Sequence, residues 1–196
     1  MEKFKRNERV AGLIKILSDN PNKLFSLSYF TELFGAAKST ISEDIASAKK
    51  IVEQISLGQI ETISGATGGV KYKPHISKAD AIKFLDELCE RLRDPKRIIP
   101  GNYIYASDII YDPNVSSKVG EIFATYFMNS GAEYVVTIET KGITLAHMTA
   151  RALNIPLVII RRENRVTEGS TVSVNYVSGS TKRIQTMFIS KRAIPE

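Results

Sequence analysis

Gly35-Ala36-Ala37-Lys38-Ser39-Thr40-Ile41-Ser42-Glu43-Asp44-Ile45-Ala46-Ser47-Ala48 is the stretch on which the fold of this chain turns. Gly35 follows a short apolar stripe, Leu27, Phe30, Leu33 and Phe34, at the place where a helix C-terminus wants left-handed backbone. Beyond the tight turn Gly35 to Ala37, Ser39 or Thr40 is expected to cap a third helix, with Thr40 to Glu43 read as a capping box. Ile41, Ile45, Ala48, Val52 and Ile55 then form one buried stripe, and Ser42, Ser47, Lys49 and Lys50 form the opposite face.

Working outward, Val10, Leu13, Ile14 and Leu17 recur at helical spacing, so Arg6 to Ser18 reads as an amphipathic helix stopped by Asp19-Asn20-Pro21-Asn22. On the other side, Gln59 to Ser64 and Val70 to Lys73 are β-type runs around Gly65-Ala66-Thr67-Gly68-Gly69, a hairpin with Lys71 and Lys73 on its return strand. Two short helices, a glycine turn, a longer third helix and a basic hairpin make a winged helix-turn-helix. Lys38, Ser39, Thr40 and Ser42 fall in the first turn of the recognition helix, where small hydroxyls and a lysine donate to phosphates and base edges. Double-stranded DNA is the partner this pattern predicts.

Composition agrees with a globular chain that meets polyanions. The 196 residues include 27 Lys and Arg against 21 Asp and Glu, a net charge of +6, and 43% are hydrophobic, which excludes disorder and leaves room for two domains. The surplus is even, +3 in residues 1–75 and +3 in residues 76–196, so it is no basic tail. Its local clusters are Lys3, Lys5, Arg6 and Arg9 at the start and, later, Arg161, Arg162, Arg165, Lys182, Arg183, Lys191 and Arg192. No stretch approaches the roughly 18 apolar residues of a membrane span, and the charged start is unlike a signal peptide, so a cytoplasmic protein without a membrane partner is expected. One cysteine, Cys89, and two separated histidines, His75 and His147, predict neither a disulfide nor a metal site.

Past Pro74-His75 the pattern changes. Ser77 to Arg93 reads as a helix with Ile82, Leu85, Cys89 and Leu92 on one side, which makes Cys89 a small buried hydrophobe. A tyrosine-rich extended stretch (Tyr103, Tyr105, Tyr111) leads to a helix from about Val115 to Met128. Tyr134 to Ile138, the loop Glu139 to Gly142, a helix Ile143 to Leu153 and Leu157 to Ile160 spell a βαβ unit, whose apolar strands read as parallel and buried on both faces. Ligands of such sheets bind beyond the strand C-termini, where Thr140, Lys141, Gly142, Arg161 and Arg162 supply groups suited to phosphate. The spacing is not that of a P-loop. Thr167 to Ile189 reads as a long β-hairpin turning at Ser178-Gly179-Ser180.

Ala37 to Asp44, Gly65 to Tyr72, Pro100-Gly101-Asn102-Tyr103-Ile104-Tyr105, Thr140-Lys141-Gly142 and above all Val166 to Gly179 resemble, in order along the whole chain, the purine operon regulator (PurR) family of Gram-positive bacteria. The resemblance implies an α/β multidomain protein. Residues 1–74 would be a winged-helix DNA-binding domain, and residues 75–196 a type I phosphoribosyltransferase-like domain for dimerisation and effector binding, without transfer chemistry. The implied function is repression or activation of purine biosynthesis genes by a homodimer on DNA, with 5-phosphoribosyl 1-pyrophosphate (PRPP) as effector and no catalytic cofactor. Carried over by position, Lys3, Lys5, Arg6, Lys38, Ser39, Thr40, Ser42 and Lys71 would serve DNA. Thr140-Lys141-Gly142 would be the pyrophosphate loop, with Arg161 and Arg162 near it and Tyr103 over the ligand. Two substitutions change the charge geometry there: Arg161-Arg162 where the family usually has Arg-Lys, and Glu139 where it usually has Ala. The acidic PRPP motif that binds ribose and its 5-phosphate does not occur in the sequence, so the chain reads as an incomplete form of the second domain. An active purine phosphoribosyltransferase with an appended domain, or a winged-helix regulator of another anionic ligand, are the alternatives.

Overall fold

The computed structural model describes residues 4–65, 67–179 and 181–194. Lys3, Ala66 of the wing turn, Ser180 of the later hairpin turn and Pro195-Glu196 lie outside the described residues. Helices α1 (Arg6–Asp19), α2 (Leu27–Phe34) and α3 (Lys38–Gln54) precede strands β1 (Gln59–Ile63) and β2 (Gly69–Lys73). The strands pair antiparallel, Gln59 opposite Lys73 and Ile63 opposite Gly69. Leu13, Leu17, Phe30, Ile41, Ala48, Val52, Ile60 and Val70 close a core that none of these elements could bury alone.

Local chemistry sets the element ends. Ser26 caps α2 by accepting from the Tyr29 N–H, and Gly35 ends it in the left-handed conformation at φ 59°, ψ 37°. The start of α3 differs from the expectation. Ala37, extended at ψ 152°, is its N-cap and makes no side-chain bond, so neither Ser39 nor Thr40 caps the helix and the Thr40–Glu43 pattern is no capping box. Because Gly35 has already reversed the chain, the helix starts at once, placing Lys38, Ser39 and Thr40 inside its first turn. The far end differs as well: Ile55 follows the last turn and is exposed, so the buried stripe stops at Val52.

The second half begins with α4 (Lys78–Leu92), capped by Ser77, and a hairpin of β3 (Ile98–Ile99) and β4 (Tyr103–Ile104). The stretch predicted to be extended contains a short helix α5 (Ser107–Ile110), held by the Arg97 guanidinium donating to both oxygens of Asp108 at 2.8 and 2.9 Å. Next come α6 (Pro113–Phe127), β5 (Val135–Ile138), α7 (Gly142–Leu153) and β6 (Leu157–Ile160). β5 and β6 pair in parallel, Val135 opposite Leu157, with α7 crossing between them as the sequence pattern requires. α6 and α7 approach so closely at Gly120 that a Cβ there would lie 2.7 Å from the Met148 carbonyl carbon. β7 (Thr171–Val177) and β8 (Ile184–Ser190) form the long hairpin, tied to β6 by paired backbone bonds between Arg161 and Phe188.

Two burial expectations fail in this half. Cys89 is exposed, because only Ala81 and Phe84 of α4 reach a core, the small cluster with Ile76 and Ile122. β5 is covered on one face only: Val136 is 50% exposed and Ile138 42%, since α7 packs on the opposite side. The halves meet at the α1–α2 loop, where Asn22 Nδ2 donates to the Ala152 carbonyl at 2.7 Å and its backbone N–H donates to Tyr72 O at 2.7 Å.

Candidate functional site

Two regions gather the residues singled out above. On the winged helix, Lys38, Ser39 and Ser42 are exposed at the start of α3, Thr40 is half-buried beside them, and Ser42 Oγ donates to Lys38 O at 3.0 Å. Arg6, in the first turn of α1, lies against the same helix: its Nη2 donates to Ser47 Oγ at 2.9 Å, and its Nε sits 3.6 Å from Asp44 Oδ1. Ser47 is seven positions beyond Thr40, hence on the same side of α3. Lys5, just outside α1, is exposed, and its backbone N–H donates to Glu8 Oε2 at 2.6 Å.

Arg9 does not join this surface. Its Nε donates to Asp44 Oδ2 at 2.6 Å and its Nη1 to Phe4 O at 2.7 Å, while Asp44 is 1% exposed. The pair bolts α1 to the inner face of α3. Lys71 is engaged too: it lies 3.3 Å from Glu61 Oε2, which Lys73 also meets at 2.8 Å. The Lys73 hydrogen bond, ahead of that from Lys71, holds the Glu61 carboxyl below the usual carboxylate range. Lys71 also lines a cleft of about 230 Å³ with Asn22, Phe127 and Gly131, facing the second half. The structure therefore sets Lys71 apart from the α3 group.

The other region is an open cleft of about 590 Å³ beyond the C-terminal ends of β5 and β6, lined by Tyr111, Ile138, Glu139, Thr140, Lys141, Gly142 and Arg162. It brings together Thr140, Lys141, Gly142 and Arg162 from the predicted set. Gly142 opens α7, and a Cβ there would lie 2.7 Å from Thr137 Oγ1, so only glycine lets the loop lie this close to the strand. Tyr103 is not in the lining; it is 70% exposed on the β3–β4 hairpin, and Tyr111 takes the aromatic place. Arg161 is turned away, its Nε donating to Glu168 Oε1 at 2.6 Å and its Nη1 to Glu139 Oε2 at 3.2 Å.

Glu139 is the site residue that sequence reasoning left out of the ligand set. Its Oε1 accepts from the Arg162 backbone N–H at 2.9 Å, and Arg165 Nη2 lies 3.9 Å from its Oε2. The Arg162 N–H bond first, then the neighbouring guanidinium groups, hold its carboxyl below the usual range. An acid within a loop otherwise suited to phosphate was the available signal.

Residues 5–74 match the family model described as bacterial purine repressor, N-terminal. Over 192 residues the chain is 47% identical to the purine biosynthesis transcriptional repressor PurR of Bacillus subtilis (strain 168), covering 98% of this chain and 67% of that protein. The chain belongs to the PurR family. Another member, the purine biosynthesis transcriptional activator PurR of Lactococcus lactis subsp. lactis (strain IL1403), is 40% identical over 191 residues, 97% of this chain and 70% of its own length. The PurR family thus contains both signs of regulation. Among solved structures, adenine phosphoribosyltransferase from Saccharomyces cerevisiae is 20% identical, with a TM-score of 0.48 over 58% of this chain and 66% of that one.

Proposed function

We propose that this chain regulates transcription of purine biosynthesis genes from the cytoplasm, as a homodimer that binds DNA through α3 and senses PRPP in the α/β half without transfer chemistry. The observation that carries the reading is the exposed start of α3, Lys38, Ser39 and Ser42 with Arg6 alongside, in a chain of PurR ancestry. A recognition helix inserts its N-terminal residues into the major groove, where the helix dipole and unpaired N–H groups favour phosphate.

The cleft supports the effector half of the reading. PRPP bears a diphosphate, and the residues present fit one: Lys141 and Arg162 in the cleft lining offer two cations, and Gly142 keeps side-chain bulk out of the turn that opens α7. That helix also supplies a route between the sites. Its first turn forms the cleft and its last presents Ala152 O to Asn22 in the winged helix. An effector that favours one placement of α7 shifts the winged helix by the difference in its affinity for the two placements.

Mobility-shift titration on a purine-gene promoter, with and without PRPP, tests the reading. Lys38→Ala with Thr40→Ala is expected to cost about 1–3 kcal/mol per lost base contact on the promoter and less on random duplex. Equal losses on both would reduce these residues to phosphate contacts, and turnover of PRPP with a purine base would replace sensing by catalysis.

A further inference from the structure

Resting on the reading of the cleft as a phosphate site, we propose that Glu139 sets which anions enter it, admitting diphosphates and turning away single phosphates and carboxylates. Glu139 lies in the lining, between the strand end and the loop that carries Thr140 and Lys141. Its carboxylate uses the donors an arriving anion would seek: the Arg162 N–H at 2.9 Å, Arg161 Nη1 at 3.2 Å and Arg165 Nη2 at 3.9 Å. Arg161 is further committed to Glu168 at 2.6 Å, so Lys141 and Arg162 are the cations that face the cleft.

The discrimination follows from charge count and reach. A single phosphate set against Lys141 or Arg162 shares the cleft with a fixed like charge, and the repulsion offsets much of what one cation contributes. It also cannot take over the Arg162 N–H without expelling the carboxylate. A diphosphate carries more charge over a greater length. One phosphate can lie on Lys141 and the start of α7 while the other meets the Arg162 side chain, so two cations act against one carboxylate. Were Glu139 removed, Arg161 would keep Glu168 as its partner, while the cleft would gain one unit of positive charge and an open N–H.

Calorimetric titration of the full chain with inorganic phosphate and with pyrophosphate, at fixed ionic strength, reads this directly. The wild type is expected to bind pyrophosphate and to lose binding with Lys141→Ala. Glu139→Gln, which keeps the shape and an acceptor oxygen, should tighten phosphate about tenfold and narrow its gap to pyrophosphate, the scale of one screened charge pair. Glu139→Asp, which keeps the charge, should preserve the wild-type ratio. An unchanged ratio in Glu139→Gln, with Lys141-dependent pyrophosphate binding intact, would overturn the role of Glu139 alone. Weaker binding of both anions by Glu139→Gln would instead make the carboxylate a brace for Arg162 and equally overturn it. Binding of neither anion by any variant would overturn the phosphate reading of the cleft together with this one.

Discussion

The two halves of the molecule each hold an arginine in an ion pair, and they use it oppositely. In the winged helix, Arg9 and Asp44 are buried side chain to side chain, with Asp44 1% exposed, and join α1 to α3 beneath the exposed start of α3. In the α/β half, Arg161 joins Glu139 and Glu168 at the rim of a cleft, on a strand end reached by solvent. The apolar surroundings differ in the same sense. Residues from Leu13 to Val70 close one continuous core around Asp44, whereas Val136, Ile138 and the outer face of α4 stay exposed. A charged pair inside a closed core can only serve the fold, because breaking it strands a charge away from water. The same pair at an open strand end can be rearranged by a ligand, because water and the ligand compensate whatever is released.

The largest expected effect breaks this comparison on the structural side. Asp44→Ala leaves Arg9 buried without its carboxylate and should cost about 3–5 kcal/mol, read as loss of cooperative unfolding of the winged helix in denaturant. If it cost no more than a surface substitution, the contrast between the two networks would collapse. Gly120→Val comes next, since its Cβ meets Met148 backbone at 2.7 Å; overpacking of α6 against α7 should cost about 1–3 kcal/mol by thermal melting. Asn22→Gly follows. Asn22 has φ 57°, which glycine tolerates, so the change removes the bond to Ala152 without backbone strain. It should cost about 0.5–1.5 kcal/mol and reduce the response of promoter binding to PRPP, with each half still folded by circular dichroism. An undiminished response would show that α7 reaches the winged helix by another contact.

The smallest effect concerns acid. Glu61 titrates below its unfolded value because of Lys73 first and Lys71 after. The stability it lends the wing is therefore fully present above the ordinary carboxylate range and fades as pH falls through the lowered value. Melting curves from about pH 6 to 3 should show this acid-side decline in the wild type and a shallower one in Glu61→Gln.

How much of this was legible beforehand follows from the range of the interactions. The apolar spacing of Leu13, Leu17, Ile41, Ile45 and Ala48 and the left-handed turn at Gly35 are local signals, and they marked the helices and the wing to within a few residues. The parallel pairing of β5 with β6 followed from strand, helix and strand in order. The grouping of Thr140, Lys141 and Gly142 was legible for the same reason, since they adjoin in sequence at one strand end.

What stayed hidden depended on which distant group each side chain meets. Arg9 and Arg6 look alike in the opening charge cluster, and only the packing of α1 on α3 buries one against Asp44 and leaves the other exposed beside Ser47. Lys71 has the alternation of an outward wing residue, yet Glu61 and the neighbouring α6 region claim it. Tyr103 and Tyr111 share a stretch, and α5 between them decides which one lines the cleft. The sequence by itself determined most of the elements, their order and the loop proposed as the phosphate site, because backbone preference and apolar period are set by near neighbours. The tertiary structure decided which charges are spent inside the protein, because a Coulomb partner is chosen by distance in space and by the water excluded around it.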